Sequence, residues 1–313
     1  MAYGTDGVFE MKAILLVSVA ACLWGTVGVA DRLMTGAPRL DPTLAGLSRT
    51  ALGAACLLTL AALLVSARPV WKALPIHLLL VFGIAGAVFQ TCLFAAFDRV
   101  GVTITVAVTV AGPAALVSIG DAAWNRRLPE PVAAVAIAVA IAGLLVAFSG
   151  RGPASIDWQG VALLLGAAAA FSVVAACARS LSAKVHPLHA AGLGLLVTTG
   201  CLAVLALARG GADPDDLAAL PARDIAILGY TGVVATGGAY LAFVAGMGLS
   251  RSPTAGIAAT LIEPGVAALL AAVVLQERLT PDQANGCALM LGSIVFLALA
   301  EGRAATRQSD AVR

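Results

Sequence analysis

The apolar residues of this chain fall in long unbroken blocks, separated by short stretches that hold the charges and many of the prolines and glycines. The blocks run 13–31, 42–66, 75–97, 102–122, 131–149, 157–178, 187–208, 224–247, 253–275 and 281–300. A helix needs about 20 apolar residues to cross a bilayer, and each block is of that order. The blocks are continuous and do not alternate every second residue, so they predict helices and not the strands of a membrane barrel. The longest polar connection, Arg209 to Asp224, contains Asp213, Asp215 and Asp216 and is too short for a domain. The first block follows Lys12 and meets Asp31 and Arg32 with no A-x-A cleavage site between, so it reads as a retained span.

Composition sharpens this picture. Hydrophobic residues make up 60% of the 313, charged residues only 12%, and the mean hydropathy is +0.98. A soluble domain carries roughly 45–50% apolar and about 25% charged residues. That balance argues against a soluble enzyme and a disordered chain, and a net charge of +2 argues against a nucleic-acid partner. The expected partners are the lipid bilayer and a small molecule. With the N-terminus inside, the inner segments hold eleven Lys and Arg residues and the outer segments seven, which favours both termini on the cytoplasmic side of an inner (plasma) membrane.

The two halves of the sequence resemble each other. A shift of 151 pairs Thr103 with Thr254, Thr109 with Thr260, Pro113 with Pro264 and Arg127 with Arg278; further back, Gly83 and Gly86 pair with Gly229 and Gly232 at a shift of 146. The halves, 1–150 and 151–313, have five blocks each. An odd number inserts the second half upside down, the inverted-repeat plan of secondary transporters, whose sites lie near the midplane at the repeat interface. The expected fold is an all-α polytopic membrane protein of ten transmembrane helices in two inverted five-helix repeats.

The run LIEPGVAALLAAVVLQERLTPDQANGCALMLGSIVFL at 261–297, the inverted halves, and Trp24-Gly25 in the first block resemble the EamA branch of the drug/metabolite transporter superfamily. The first half departs from the pattern: Gly112 stands where the second half has Glu263, and Arg126 where it has Glu277. The resemblance implies an exporter of amino acids, other metabolites or drugs, with spans 1, 3, 4, 6, 8 and 9 around a cavity. It names no substrate, and proton coupling stays open, as does the choice between monomer and homodimer.

Several residues have the chemistry for such a cavity. Ten residues past Pro253, at 1.5 Å per residue, Glu263 lies about 15 Å into the ninth block, half of a ~30 Å core. It is either a substrate-amine or proton-coupling carboxylate, or a structural acid bonded to a neighbouring helix. Thr109 and Thr260 each precede a proline by four, so Pro113 and Pro264 free their carbonyls. These carbonyls either accept bonds from a substrate or mark kinks healed by the threonine hydroxyls. Arg49, about 10 Å inside the second block, either binds a substrate carboxylate, snorkels outward, or pairs with Asp41 or Asp98. Gln90 and Tyr240 pair at a shift of 150 and either line the cavity or bond helices together. Trp24 lies mid-span, as a gate or cavity wall would.

The remaining motifs point away from cofactors. His186 and His189 lack a third metal ligand, and GLGLLV at 192–197 is no phosphate loop. The six cysteines sit in apolar blocks as packing residues. Gly143, Gly286 and Ser293 suit close helix contacts, within the chain or between copies. The expected function is a secondary-active carrier working by alternating access, and not an enzyme. A membrane enzyme would show a cluster of acid, base and nucleophile. A structural or sensory protein would not need paired midplane prolines.

Overall fold

The computed structural model describes residues 4–34, 41–65, 74–124, 126, 131–148, 158–209, 214–250, 252–276 and most of 280–300. Within these, every element is helical. They run in order as α1 (Gly4–Gly25), α2 (Val27–Leu33), α3 (Pro42–Leu64), α4 (Ile76–Trp124), α5 (Pro131–Phe148), α6 (Trp158–Ser182) and α7 (Pro187–Arg209). Then follow α8 (Pro214–Ala218), α9 (Ala222–Gly232), a π-helical turn (Val233–Gly238), α10 (Ala239–Leu249), α11 (Pro253–Ala258), a 3₁₀ turn (Ala259–Ile262) and α12 (Glu263–Val274).

Helix starts follow local chemistry. Asp41 caps α3, its Oδ1 accepting from the amides of Thr43 at 2.8 Å and Leu44 at 3.3 Å, with Pro42 at the first helical position. Ser252 caps α11 in the same way, ahead of Pro253.

Among the described residues, seven helices are long and apolar enough to cross a membrane: Phe9–Leu33, Thr43–Leu64, Ile76–Ala96, Trp158–Ser182, Pro187–Arg209, Ala222–Leu249 and Pro253–Val274. Shorter apolar helical stretches cover Val108–Trp124 and Ala134–Gly143. Residues 281–300 are helical wherever they are described. One boundary differs from the sequence pattern. The third and fourth blocks are joined without an assigned loop in one helical segment, α4, that doubles back near 98–101: Cys92 and Gly112, twenty residues apart, lie against Gly166 and Ala168, close neighbours on α6. Polar residues mark a change of environment there, but no proline removes a donor; Pro113 lies within the helix, farther on. The polar 209–224 connection also folds a short helix, α8.

The core is built where α1 packs on α10 and the 3₁₀ turn, α4 on α6 and α7, and α3 on α7. Phe82, Phe243, Leu57, Leu195, Met247 and Val17 are fully buried in it. Large apolar side chains also face outward, among them Leu207 at 80% and Leu63 at 74% exposure. A water-facing surface would not favour such a belt, and lipid tails would. A Cβ on Gly143 would lie 2.8 Å from the Gly286 carbonyl, so these two small residues serve a contact inside the chain. Cys22, Cys56, Cys92, Cys177 and Cys201 are free, and Cys287 lies outside the described residues.

Candidate functional site: a cavity where broken helices meet

Three of the crossings lose α-helical regularity. The first breaks at Thr26, between α1 and α2, where the Thr26 hydroxyl donates to Leu23 O at 2.7 Å and accepts from Tyr230 Oη at 2.8 Å. The Ala222–Leu249 crossing widens into a π turn at 233–238. The Pro253–Val274 crossing tightens into a 3₁₀ turn at 259–262. Pro264 accounts for the last of these. It has no N–H to give the Thr260 carbonyl, and the amide of Glu263 bonds that carbonyl instead. The Thr260 carbonyl is therefore rehoused within its own helix. The Thr260 and Thr109 hydroxyls donate to upstream carbonyls, Ile257 O at 2.8 Å and Thr105 O at 2.7 Å.

Irregular backbone at membrane depth is tolerated where protein buries it or where it lines a cavity. Here all three breaks border one cavity of about 300 Å³. Trp24, Arg49, Gln90, Thr109, Tyr240, Thr260 and Glu263 all line it, and so does Pro264. Pro113 is buried but is not part of its wall. Phe89, Phe94, Phe171, Thr236 and Asp31 are among the further lining residues, which the sequence did not single out for the cavity. Aromatic residues inside apolar blocks look alike whether they face lipid or a cavity, so periodicity does not separate them.

The cavity has a deep end and an open end. At the deep end, Trp24 packs edge-on to Phe171 and Tyr240, with ring centroids 5.7 and 5.5 Å apart, and lies 5.4 Å from Phe243. Toward the other end the wall reaches Gly28 and Asp31, both exposed.

The polar groups are spread around this space. Glu263 is half-buried at the start of α12, and among the described residues no hydrogen bond or ion pair reaches its carboxyl group. A Cβ on Gly25 would lie 3.0 Å from the Glu263 carbonyl, so only glycine lets α1 come this close to α12. Gly112, the repeat partner of Glu263, has its Cα pressed against α6: an added Cβ would meet Ala168 Cβ at 2.8 Å. The first half therefore has no room for a matching acid. Arg49 Nη2 donates to Gln90 Oε1 at 3.5 Å, and its guanidinium lies 5.9 Å from the Phe94 ring centroid. Asp41, one expected partner of Arg49, caps α3 instead, and the Asp98 side chain lies outside the described residues. Gly256 packs against Met247 and Ser250, an added Cβ lying 3.1 Å from each.

Comparison with known proteins agrees with this geometry. Residues 158–299 match the sequence model of the EamA-like transporter family. "Uncharacterized transporter YwfM" of Bacillus subtilis (strain 168) is 26% identical over 306 residues, covering 94% of this chain and 96% of its own. One crystal structure aligns with a TM-score of 0.73 over 92% of this chain and 98% of that one; at 20% identity it speaks to the fold alone. Over residues 158–299, this chain is thus similar to the EamA-like transporter family, a branch of the drug/metabolite transporter superfamily.

Proposed function

We propose that the protein is a secondary-active exporter of small metabolites such as amino acids, working by alternating access around this cavity. One observation carries the reading: three crossings lose helical regularity where they border the same cavity, and one of them places an acid on its wall. Transporters build their midplane sites from such interrupted helices. The family and the relative point to a transporter and not an enzyme.

The finer features of the reading are these. The chain makes ten crossings, as two inverted repeats at 1–150 and 151–313. Both termini lie in the cytoplasm. Thr26 to Asp31 then mark the outer end of the first crossing, and the cavity opens outward. The inner end is closed by contacts that must part when the cavity switches sides. Ser250 Oγ donates to the buried Glu10 carboxylate at 2.7 Å, and Ser182 Oγ to Val244 O at 2.6 Å. A Cβ on Gly246 would meet Ala13 O at 2.9 Å, so α10 lies directly against α1 below the cavity. Glu263 couples transport to protons or holds a substrate amine. Cells with and without the protein, compared for intracellular and extracellular metabolites, should differ in at least one small polar solute. Vesicles containing the purified protein should move that solute. No difference in cells, together with no flux in vesicles, would remove the reading.

A further inference from the structure

We propose that Arg49 is a carboxylate seat: the molecule entering the cavity carries an anionic oxygen pair that docks on this guanidinium, while Glu263 faces its cationic end. The proposal rests on the cavity being the transport site, and it specifies the class of what enters.

Arg49 lies about 10 Å along α3 from its capped start. A guanidinium at that depth is costly unless something compensates it. The compensation within the protein is thin. Of five N–H donors, one reaches Gln90 Oε1, at 3.5 Å, the outer limit of a hydrogen bond. Nε is buried and has no acceptor among the described residues. Phe94 offers a ring face, which steadies the guanidinium without neutralising it. Asp31 acts on Arg49 from electrostatic range and Asp41 serves its cap. Gly46, three residues earlier on the same face of α3, leaves Gln90 Oε1 and Phe94 in ordinary contact at 3.7 Å from an added Cβ. An amide and a ring thus orient a planar fork that suits a bidentate carboxylate.

The opposite pole is Glu263. Tyr240 lies within electrostatic range of both Arg49 and Glu263 and lines the same cavity. On ideal helices the two charged residues differ in depth by about one helical turn. Opposite charges on one cavity wall suit a solute that carries both an ammonium and a carboxylate. Trp24, Phe89 and Phe171 line the same cavity. The class that fits is a small zwitterion with an apolar side chain.

Three probes sharing one hydrocarbon separate the poles: L-leucine, isopentylamine without the carboxylate, and 4-methylpentanoate without the amine. Binding to the purified full chain is measured by titration calorimetry at one pH, for the parent protein and Arg49→Gln. Leucine should bind the parent tighter than isopentylamine by about tenfold or more, the worth of one hydrogen bond between charged groups. Arg49→Gln should erase that advantage and leave isopentylamine within about twofold of its parent affinity. An Arg49→Gln protein that keeps the leucine advantage overturns the proposal. If that variant does not fold, Arg49→Lys and Gln90→Leu decide: each should weaken leucine and spare the amine, and unchanged leucine binding in both overturns it. If isopentylamine binds the parent as well as leucine does, the carboxylate seat falls and the transport site stands. If none of the three binds, the seat falls; absence of flux in vesicles as well brings down the site itself.

Discussion

On the proposed reading Glu263 carries the chemistry of the cavity wall, and its role separates on one substitution. Glu263→Gln keeps size and shape and removes the titrating proton. If Glu263 carries a coupling proton, the variant keeps its fold and its substrate exchange but loses the dependence of net transport on a pH gradient, measured in vesicles at two external pH values. If it holds an amine, the same variant loses about 1.5–3 kcal/mol of binding instead. At this scale the sequence was informative. Glu263 stood out because an acid in an apolar block has few explanations, and its repeat partner Gly112 marked the asymmetry. The reason for that asymmetry, Ala168 pressed against Gly112, was not legible, because it belongs to a contact between distant helices.

At the scale of elements, the breaks in helical regularity matter more than the helices. The 3₁₀ turn depends on Pro264. Pro264→Ala supplies an amide that competes with Glu263 N–H for the Thr260 carbonyl, which should draw the turn toward α geometry and swing the Glu263 side chain. Transport should fall several-fold while thermal stability of the purified protein changes by no more than about 1 kcal/mol, since alanine fits a helix well. The Pro113 counterpart lies off the cavity wall, so Pro113→Ala should have the smaller effect. The π turn depends on close approach. A Cβ on Gly53 would stand 3.0 Å from both the Gly232 carbonyl and the Gly237 amide. Gly53→Val should therefore cost about 1–3 kcal/mol of stability by overpacking, read as a lowered melting temperature in detergent. Prolines announce a break in advance, and Pro264 was legible. A π turn has no comparable residue signature; Gly237-Gly238 hinted at a loose backbone and no more. The reversal of α4 near 98–101 was legible from the charges there; that it happens without an assigned loop was not.

At the scale of the whole molecule, hydropathy carried most of the information. The bilayer demands that backbone groups be satisfied within each crossing, so long apolar blocks translate almost directly into helices. Which faces meet is not written in the same way, since lipid and protein interior are equally apolar. Orientation is a prediction at this scale. In a background lacking the native cysteines, Ala212→Cys should react with an impermeant thiol reagent added to intact cells and Ala305→Cys should not. The reverse pattern would invert the molecule and turn the open end of the cavity toward the cytoplasm.

The aromatic cluster at the deep end also supplies an optical readout. Trp24 touches Phe171, Tyr240 and Phe243 and lines the cavity. Trp124 and Trp158 are 89% and 75% exposed, and Trp71 lies outside the described residues. With those three changed to phenylalanine, the remaining indole emits from the cavity wall. Its emission wavelength reports how wet that wall is, and its quenching by iodide reports which side the cavity faces. Solute binding and the change of side then become two separable optical signals, followed in real time without a label.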